Sequence, residues 1–277
     1  MAPMSALLSE PTVPAGMTAE SHDRFSVEGQ VAVVTGASSG IGRAIAEQFA
    51  AEGAGVVICS REQDNVDPVA DGIEDSDRPG EALAVECDVT DREAVNVLVE
   101  ATVEAFGGID TLVNNAGASF MANFDDISPN GWETIVDINL QGTYHCTQAA
   151  GEHLADGGGS VVNMASVAGQ QGAPYMSHYG AAKAAVINLT STLAYEWASE
   201  DVRVNCIAPG FVATPGVASQ MGVTAGEIDR DSVDRTIGLS EEIADLTQFL
   251  ASPAASYVVG ETVRAAGVPQ IEETPQS

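Results

Sequence analysis

The stretch VAVVTGASSGIG, residues 31–42, decides the fold. Val31 to Thr35 form a near-continuous apolar run, which predicts a strand buried on both faces. Gly36, Gly40 and Gly42 follow at the spacing G-x-x-x-G-x-G, and GRAIAEQFAAEG (42–53) then runs at helical period. Strand, glycine turn and helix is the arrangement that brings backbone close to a pyrophosphate facing a helix N-terminus. The spacing departs from the commoner G-x-G-x-x-G, and taken alone it also fits an ordinary turn.

Working outward, the same rhythm repeats. Apolar runs recur as GVVIC (55–59), ALAVEC (82–87), IDTLVN (109–114), SVVNMA (160–165) and VRVNCIA (202–208), separated by helical segments such as DREAVNVLVEATVEAFG (91–107). Alternation of this kind predicts an α/β protein, one doubly wound parallel sheet with helices on both faces, joined by right-handed crossovers. Residues 1–25, with Pro3, Pro11 and Pro14 among small and acidic residues, read as a loose arm. The domain spans 26–270, and 271–277 form an acidic tail.

The composition limits function. Forty acidic residues face ten basic ones, a net charge of −30. Such a chain repels nucleic acid and anionic membranes. Acid-rich, lysine-poor composition resembles proteins of salt-loving organisms, in which molar salt screens self-repulsion, and instability in low salt is expected. Cys59, Cys87, Cys146 and Cys206 form no C-x-x-C pair, so buried thiols are expected rather than a disulfide framework or zinc site. The N-terminus lacks a basic n-region and no stretch is long enough to span a membrane, so the expectation is a soluble, cytoplasmic protein. His145, His153 and His178 show no metal-ligand spacing, and His178 is expected to point away from Tyr179.

Lys183 is the single lysine of the 277-residue chain. It follows Tyr179 by four residues in SHYGAAK (177–183), so on a helix the two share a face. An ammonium there is expected to lower the phenol pKa from about 10, letting it exchange a proton near neutrality. At the end of the second strand, where an acid would hold the ribose 2′-hydroxyl of NAD, stand Ser60 and Arg61. A guanidinium suits the 2′-phosphate of NADP, so NADP is expected over NAD. Arg43 is either an assistant to it or a solvated surface group. Asp88-Val89 either meets the adenine or caps the next helix. Asn115, Ala116 and Gly117 close the fourth strand with small residues against which a cofactor can lie.

TGASSGIG, Asp88-Val89, NNAG (114–117), Asn139, Ser166 and YGAAK (179–183) together resemble, in order and spacing, the short-chain dehydrogenase/reductase family, over about residues 27–267. The resemblance implies a Rossmann-type fold, a nicotinamide cofactor held by Gly36, Ser38, Ser39, Gly40, Ile41 and Gly42, and a catalytic tetrad of Asn139, Ser166, Tyr179 and Lys183. Tyr179 and Lys183 would also meet the cofactor, and Pro209, Gly210, Val212 and Thr214 its nicotinamide end. A homotetramer is implied too, although Gly260–Gly267 departs from the Asp-Gly-Gly more usual near that subunit contact. Residues 211–238 read as a substrate lid, with Phe211, Val217, Met221 and Val223 as its apolar lining.

The activity implied is NADP(H)-dependent interconversion of a ketone and a secondary alcohol. The segment 120–143 resembles acyl-thioester reductases, and the Tyr179–Lys183 pair the 3-oxoacyl reductases, which favours a 3-oxoacyl thioester, with a CoA ester as one form. Acyl carrier proteins are acidic like this chain, which counts against docking one. A sugar, polyol or alicyclic alcohol is the alternative, and a nucleotide-binding protein without catalysis the remote one.

Overall fold

A computed structural model of the chain describes residues 23–217 and 222–269. The first 22 residues of the arm, residues 218–221 of the lid (Met221 among them) and the tail from residue 270 lie outside the described residues.

Seven strands form one parallel sheet: β1 (Val31–Thr35), β2 (Gly55–Ser60), β3 (Ala82–Glu86), β4 (Thr111–Asn114), β5 (Gly159–Met164), β6 (Val202–Pro209) and β9 (Thr262–Ala265), in the order β3-β2-β1-β4-β5-β6-β9. A separate parallel pair, β7 (Phe211–Val212) with β8 (Ile237–Gly238), joins the two ends of the segment 211–238. The α-helices fully within the described residues are α1 (Gly40–Ala51), α2 (Gln63–Glu74), α3 (Arg92–Phe106), α4 (Pro129–Val136), α5 (Gly142–Ala155), α6 (Val167–Gln170), α7 (Ser177–Glu196) and α8 (Ser240–Ala251).

Both faces of the sheet are covered, which is why its central strands read as unbroken apolar runs. Ala32, Val34, Val56 and Ile58 pack under Ile45 and Phe49 of α1, Val66 and Ile73 of α2 and Leu250 of α8. The intervening Val33, Val57 and Cys59 point the other way, onto Val95 and Leu98 of α3 and Cys146 and Leu154 of α5. All four cysteines are buried free thiols. Asp91 caps α3 by accepting from Glu93 N–H, and Gly107, in the left-handed region at φ 88°, ends it. Arg24 and Phe25 already pack on the domain: the Arg24 carbonyl accepts from Ala254 N–H and the Phe25 carbonyl from Gln248 Nε2. No described helix is long and apolar enough to cross a membrane.

Strand β9 has no counterpart among the runs read as strands. It lies at the edge beside β6, carries Arg264, and is only partly buried, so its sequence lacks the two-sided apolar signature.

Candidate active site and cofactor crevice

A crevice of about 420 Å³ opens at the carboxyl edge of β1, β2 and β4. Its wall is laid down by main chain and small side chains. The Thr35 hydroxyl accepts from the N–H groups of both Asn115 and Ala116, each at 3.0 Å. Asn115 Nδ2 donates to the carbonyls of Thr35 and Gly36 at 2.9 and 3.0 Å. This lacing brings the end of β4 so near the glycine turn that a Cβ at Gly36 would lie 2.8 Å from Ala116 Cα, and one at Gly42 2.4 Å from Asn115 Nδ2. Thr214 roofs the turn, packing where a Gly40 Cβ would be.

The crevice is electrically prepared for an anion. Ser39 is the N-cap of α1 but makes no side-chain capping bond, and the first turn carries no acidic residue in a chain that has 40. The dipole and the unpaired N–H groups of that turn are therefore uncovered. Arg61 lines the crevice and forms no ion pair among the described residues, whereas Arg43 is engaged with Glu47 at 2.8 Å. The residues present thus fit the phosphates of a dinucleotide.

Of the residues expected at the cofactor, Gly36, Ser38, Ser39, Gly40, Ile41, Ser60, Arg61, Asp88, Val89, Asn115, Ala116, Gly117 and Thr214 line the crevice. Gly42 stands behind it as a packing glycine. Pro209 and Gly210 lie at the end of β6, where Gly210 N–H donates to the Ala265 carbonyl, and Val212 is buried and faces a second cavity, of about 490 Å³. Asp91, not Asp88, is the helix cap, while Asp88 Oδ1 takes Thr90 N–H and hydroxyl and its other oxygen has no partner among the described residues. His145 is the back of this wall. Its Nδ1 meets the Val89 carbonyl at 3.1 Å and therefore carries the proton, leaving Nε2 to accept from Gln141. The buried Thr35 was missed as a site residue, although it opens the quoted motif.

Beside the crevice, helix α7 presents Tyr179 and Lys183 on one face, with Lys183 Nζ 5.7 Å from the Tyr179 ring centroid. The short α6 packs hard against them: a Cβ at Gly169 would strike the Lys183 backbone at 2.6 Å, and one at Gly180 the Ala168 carbonyl at 2.9 Å. Those two glycines bring Ser166, the cap of α6, into hydrogen bonding with Tyr179. Lys183 Nζ donates to the Met164 carbonyl at 2.7 Å. Asn139 sits in a π-helical turn, Asp137–Gln141. Its Nδ2 donates to the carbonyls of Ile135 and Ala118, both at 2.8 Å, and its buried Oδ1 has no partner among the described residues. A side chain at Gly117 would meet that Oδ1 at 2.8 Å and Lys183 Nζ at 3.5 Å. Gly117 therefore joins crevice and tetrad.

One expectation needs correcting. Burial raises the Tyr179 pKa above its ordinary value, with only the Ser166 hydrogen bond pulling down. The ammonium is directed past the ring to the strand end rather than at the phenol oxygen. Burial lowers Lys183 itself to about 8. His178 is fully buried, its ring edge-on to Phe120 with centroids 4.3 Å apart, and neither ring nitrogen has a partner among the described residues.

A family model described as enoyl-(acyl carrier protein) reductase matches residues 36–267. A 3-oxoacyl-[acyl-carrier-protein] reductase from Thermotoga maritima is 37% identical over 86% of this chain and 96% of its own length. The chain is a short-chain dehydrogenase/reductase. A cis-4-hydroxycyclohexanecarboxylate dehydrogenase from Sinomonas cyclohexanicum, 41% identical over 83% of this chain and 92% of its own, is a second relative of the kind. A solved structure from Beutenbergia cavernae, described as an NAD(P)-dependent gluconate 5-dehydrogenase with NADP bound at low occupancy, superposes with a TM-score of 0.78 at 37% identity, covering 87% of this chain and 96% of that one. As a short-chain dehydrogenase/reductase, the protein is an NAD(P)-dependent oxidoreductase acting on CH–OH and C=O groups.

Proposed function

We propose that this short-chain dehydrogenase/reductase uses NADP(H) to interconvert a ketone and a secondary alcohol, with Tyr179 as general acid and base. The observation that carries the reading is the meeting of Asn139 and Lys183 at Gly117, a residue of the dinucleotide crevice, with the Tyr179 ring 5.7 Å from the same Lys183 Nζ and Ser166 hydrogen-bonded to Tyr179.

The cofactor supplies the hydride when bound. Gly36, Ser38, Ser39, Gly40 and Ile41 hold its pyrophosphate against the first turn of α1, Asp88 and Val89 its adenine, and Ser60 and Arg61 the 2′-phosphate. The unpaired guanidinium of Arg61 is the ground for NADP over NAD. The hydroxyls of Ser166 and Tyr179 grip the substrate oxygen. In reduction, Tyr179 gives its proton to that oxygen, and a phenol that burial keeps protonated suits this direction. Lys183, charged below about pH 8, supports the phenolate left behind. The orphan Asn139 Oδ1 holds a water that returns a proton through Lys183.

Two substrate classes fit this chemistry: a 3-oxoacyl thioester, as the first relative's name suggests, and an alicyclic or polyol alcohol, as the second's does. Family likeness also favours a homotetramer. The test of the reaction is NADPH oxidation coupled one-to-one to ketone loss over a panel of carbonyl compounds. Tight NADPH binding without turnover would replace this reading with a non-catalytic nucleotide-binding role.

A further inference from the structure

Two loops meet beside Tyr179, a third stretch follows β6 in strand β7, and the exposed large side chains of all three are apolar or aromatic. After β4 the chain runs through Phe120, Met121 and Phe124, which are 39, 66 and 69% exposed. After α6 comes Tyr175, 57% exposed, and after β6 comes Phe211, 59% exposed. The first two loops are tied together: Ala122 N–H donates to the Tyr175 carbonyl at 2.9 Å, and the Phe120 ring rests on His178, next to Tyr179. Tyr175 is held at φ +68°, a left-handed conformation that a non-glycine residue rarely adopts. The backbone thus carries strain where a ring faces solvent.

Charge at this mouth is equally one-sided. Residues 118–138 contain Asp125, Asp126, Glu133 and Asp137 and no lysine or arginine, and residues 166–182 contain no acidic residue, lysine or arginine at all. All nine arginines are accounted for elsewhere. Arg61 lines the cofactor crevice, and Arg43 is paired with Glu47. Arg92 is bonded to Asn96 and Gln148. Arg24, Arg78 and Arg203 lie toward the amino edge of the sheet, Arg203 capping the carbonyls that end α8. Arg264 is on the outer strand β9. Within the segment 211–238 itself, Arg230 is already paired with Asp245, and Arg235 with both oxygens of Glu242. Lys183 is buried on the Met164 carbonyl. Burial lowers the His178 pKa.

We infer that the carbonyl reduced at Tyr179 is carried on an uncharged, apolar body, and that thioesters borne on CoA or on an acyl carrier protein are poor substrates. The inference rests on the reaction proposed above and narrows its substrate. A CoA ester brings a diphosphate and a 3′-phosphate to the mouth, and a carrier protein brings an acidic surface. Neither finds a cation there, and both meet Asp125 and Asp126. Molar salt, with a screening length of about 3 Å, removes the distant repulsion. The missing phosphate contacts remain missing.

The experiment compares kcat/KM with NADPH, in molar salt, for acetoacetyl-CoA, for the N-acetylcysteamine thioester of acetoacetate, which has the same reacting group without phosphates, and for cyclohexanone. NADP reduction with glucose is run alongside. The expected result is a preference of about tenfold or more for the uncharged thioester and the cyclic ketone over the CoA ester. Acetoacetyl-CoA matching or exceeding the N-acetylcysteamine ester overturns the inference while leaving the reaction standing, as does glucose outpacing every apolar compound. No turnover of any compound overturns the reaction itself and this inference with it. A second arm introduces the missing cation. Met121→Arg should move the ratio of the two thioester kcat/KM values toward the CoA ester by about tenfold, the worth of one charge-assisted contact. An unchanged ratio contradicts the assignment of these loops to the substrate mouth.

Discussion

At the carboxyl edge of β1, β2 and β4 the chain offers a ligand backbone N–H groups, glycines and short hydroxyl side chains, interlocked through Thr35 and Asn115. A few residues farther along, past β4 and β6, it offers large exposed rings on loops. The first region leaves no room for an added methyl group. The second has room in every direction. Cofactor binding should therefore fail abruptly when its wall is altered, whereas substrate choice should shift gradually.

Gly42→Ala is the severest way to probe the difference. The new Cβ lands 2.4 Å from Asn115 Nδ2 and 2.5 Å from the Gly36 carbonyl, and overpacking against backbone costs about 3 kcal/mol. Thermal melting should show that loss together with NADPH binding too weak to titrate. A variant that melts like the parent and binds NADPH normally would show the wall to be pliable. Arg61→Ser should be milder, since it removes one charged partner worth about 1.5–3 kcal/mol. NADPH affinity, followed by fluorescence, should drop about tenfold to a hundredfold while NADH affinity changes little. Equal losses for both would remove Arg61 from the 2′-phosphate.

Between the regions, Lys183 links site and stability. Its pKa is lowered from 10.5 to about 8 by burial, so between those values the unfolded chain binds more protons and stability rises with pH. Below about pH 8 the desolvated ammonium costs the native state up to about 3 kcal/mol. The melting difference between Lys183→Met and the parent should then move against the variant as pH rises from 8 toward 10.5. A pH-independent difference would mean that burial does not tax this lysine. The smallest effect belongs to the mouth: Tyr175→Gly relieves a left-handed φ, leaving the melting temperature equal or slightly raised and NADPH affinity untouched while KM for an apolar ketone increases several-fold. A change in NADPH affinity would show that the two regions are coupled.

The same contrast governs what the sequence discloses. Strands β1, β2, β5 and β6 announce themselves because both faces are buried, and the glycine turn because tight backbone packing demands glycine at 36 and 42. Edge strand β9 is half-covered and carries a charge, so its pattern is mute. Spacing places Tyr179 and Lys183 on one face of α7, but not the burial that raises the phenol pKa instead of lowering it. Nor does it show the π-helical turn that frees Asn139 Oδ1, since Asn139 lies in a run that otherwise reads as helix. The left-handed Tyr175 is equally silent, because tyrosine is not a residue that signals positive φ.

The central claim is that the Tyr179 hydroxyl moves the proton, while the glycine wall proposed to hold the cofactor keeps its shape without that hydroxyl. Its most direct test is Tyr179→Phe, measured for NADPH affinity and for ketone reduction in the same preparation. The account predicts unaltered NADPH binding with a loss of about a hundredfold or more in kcat. Near-normal turnover by the phenylalanine variant would contradict it.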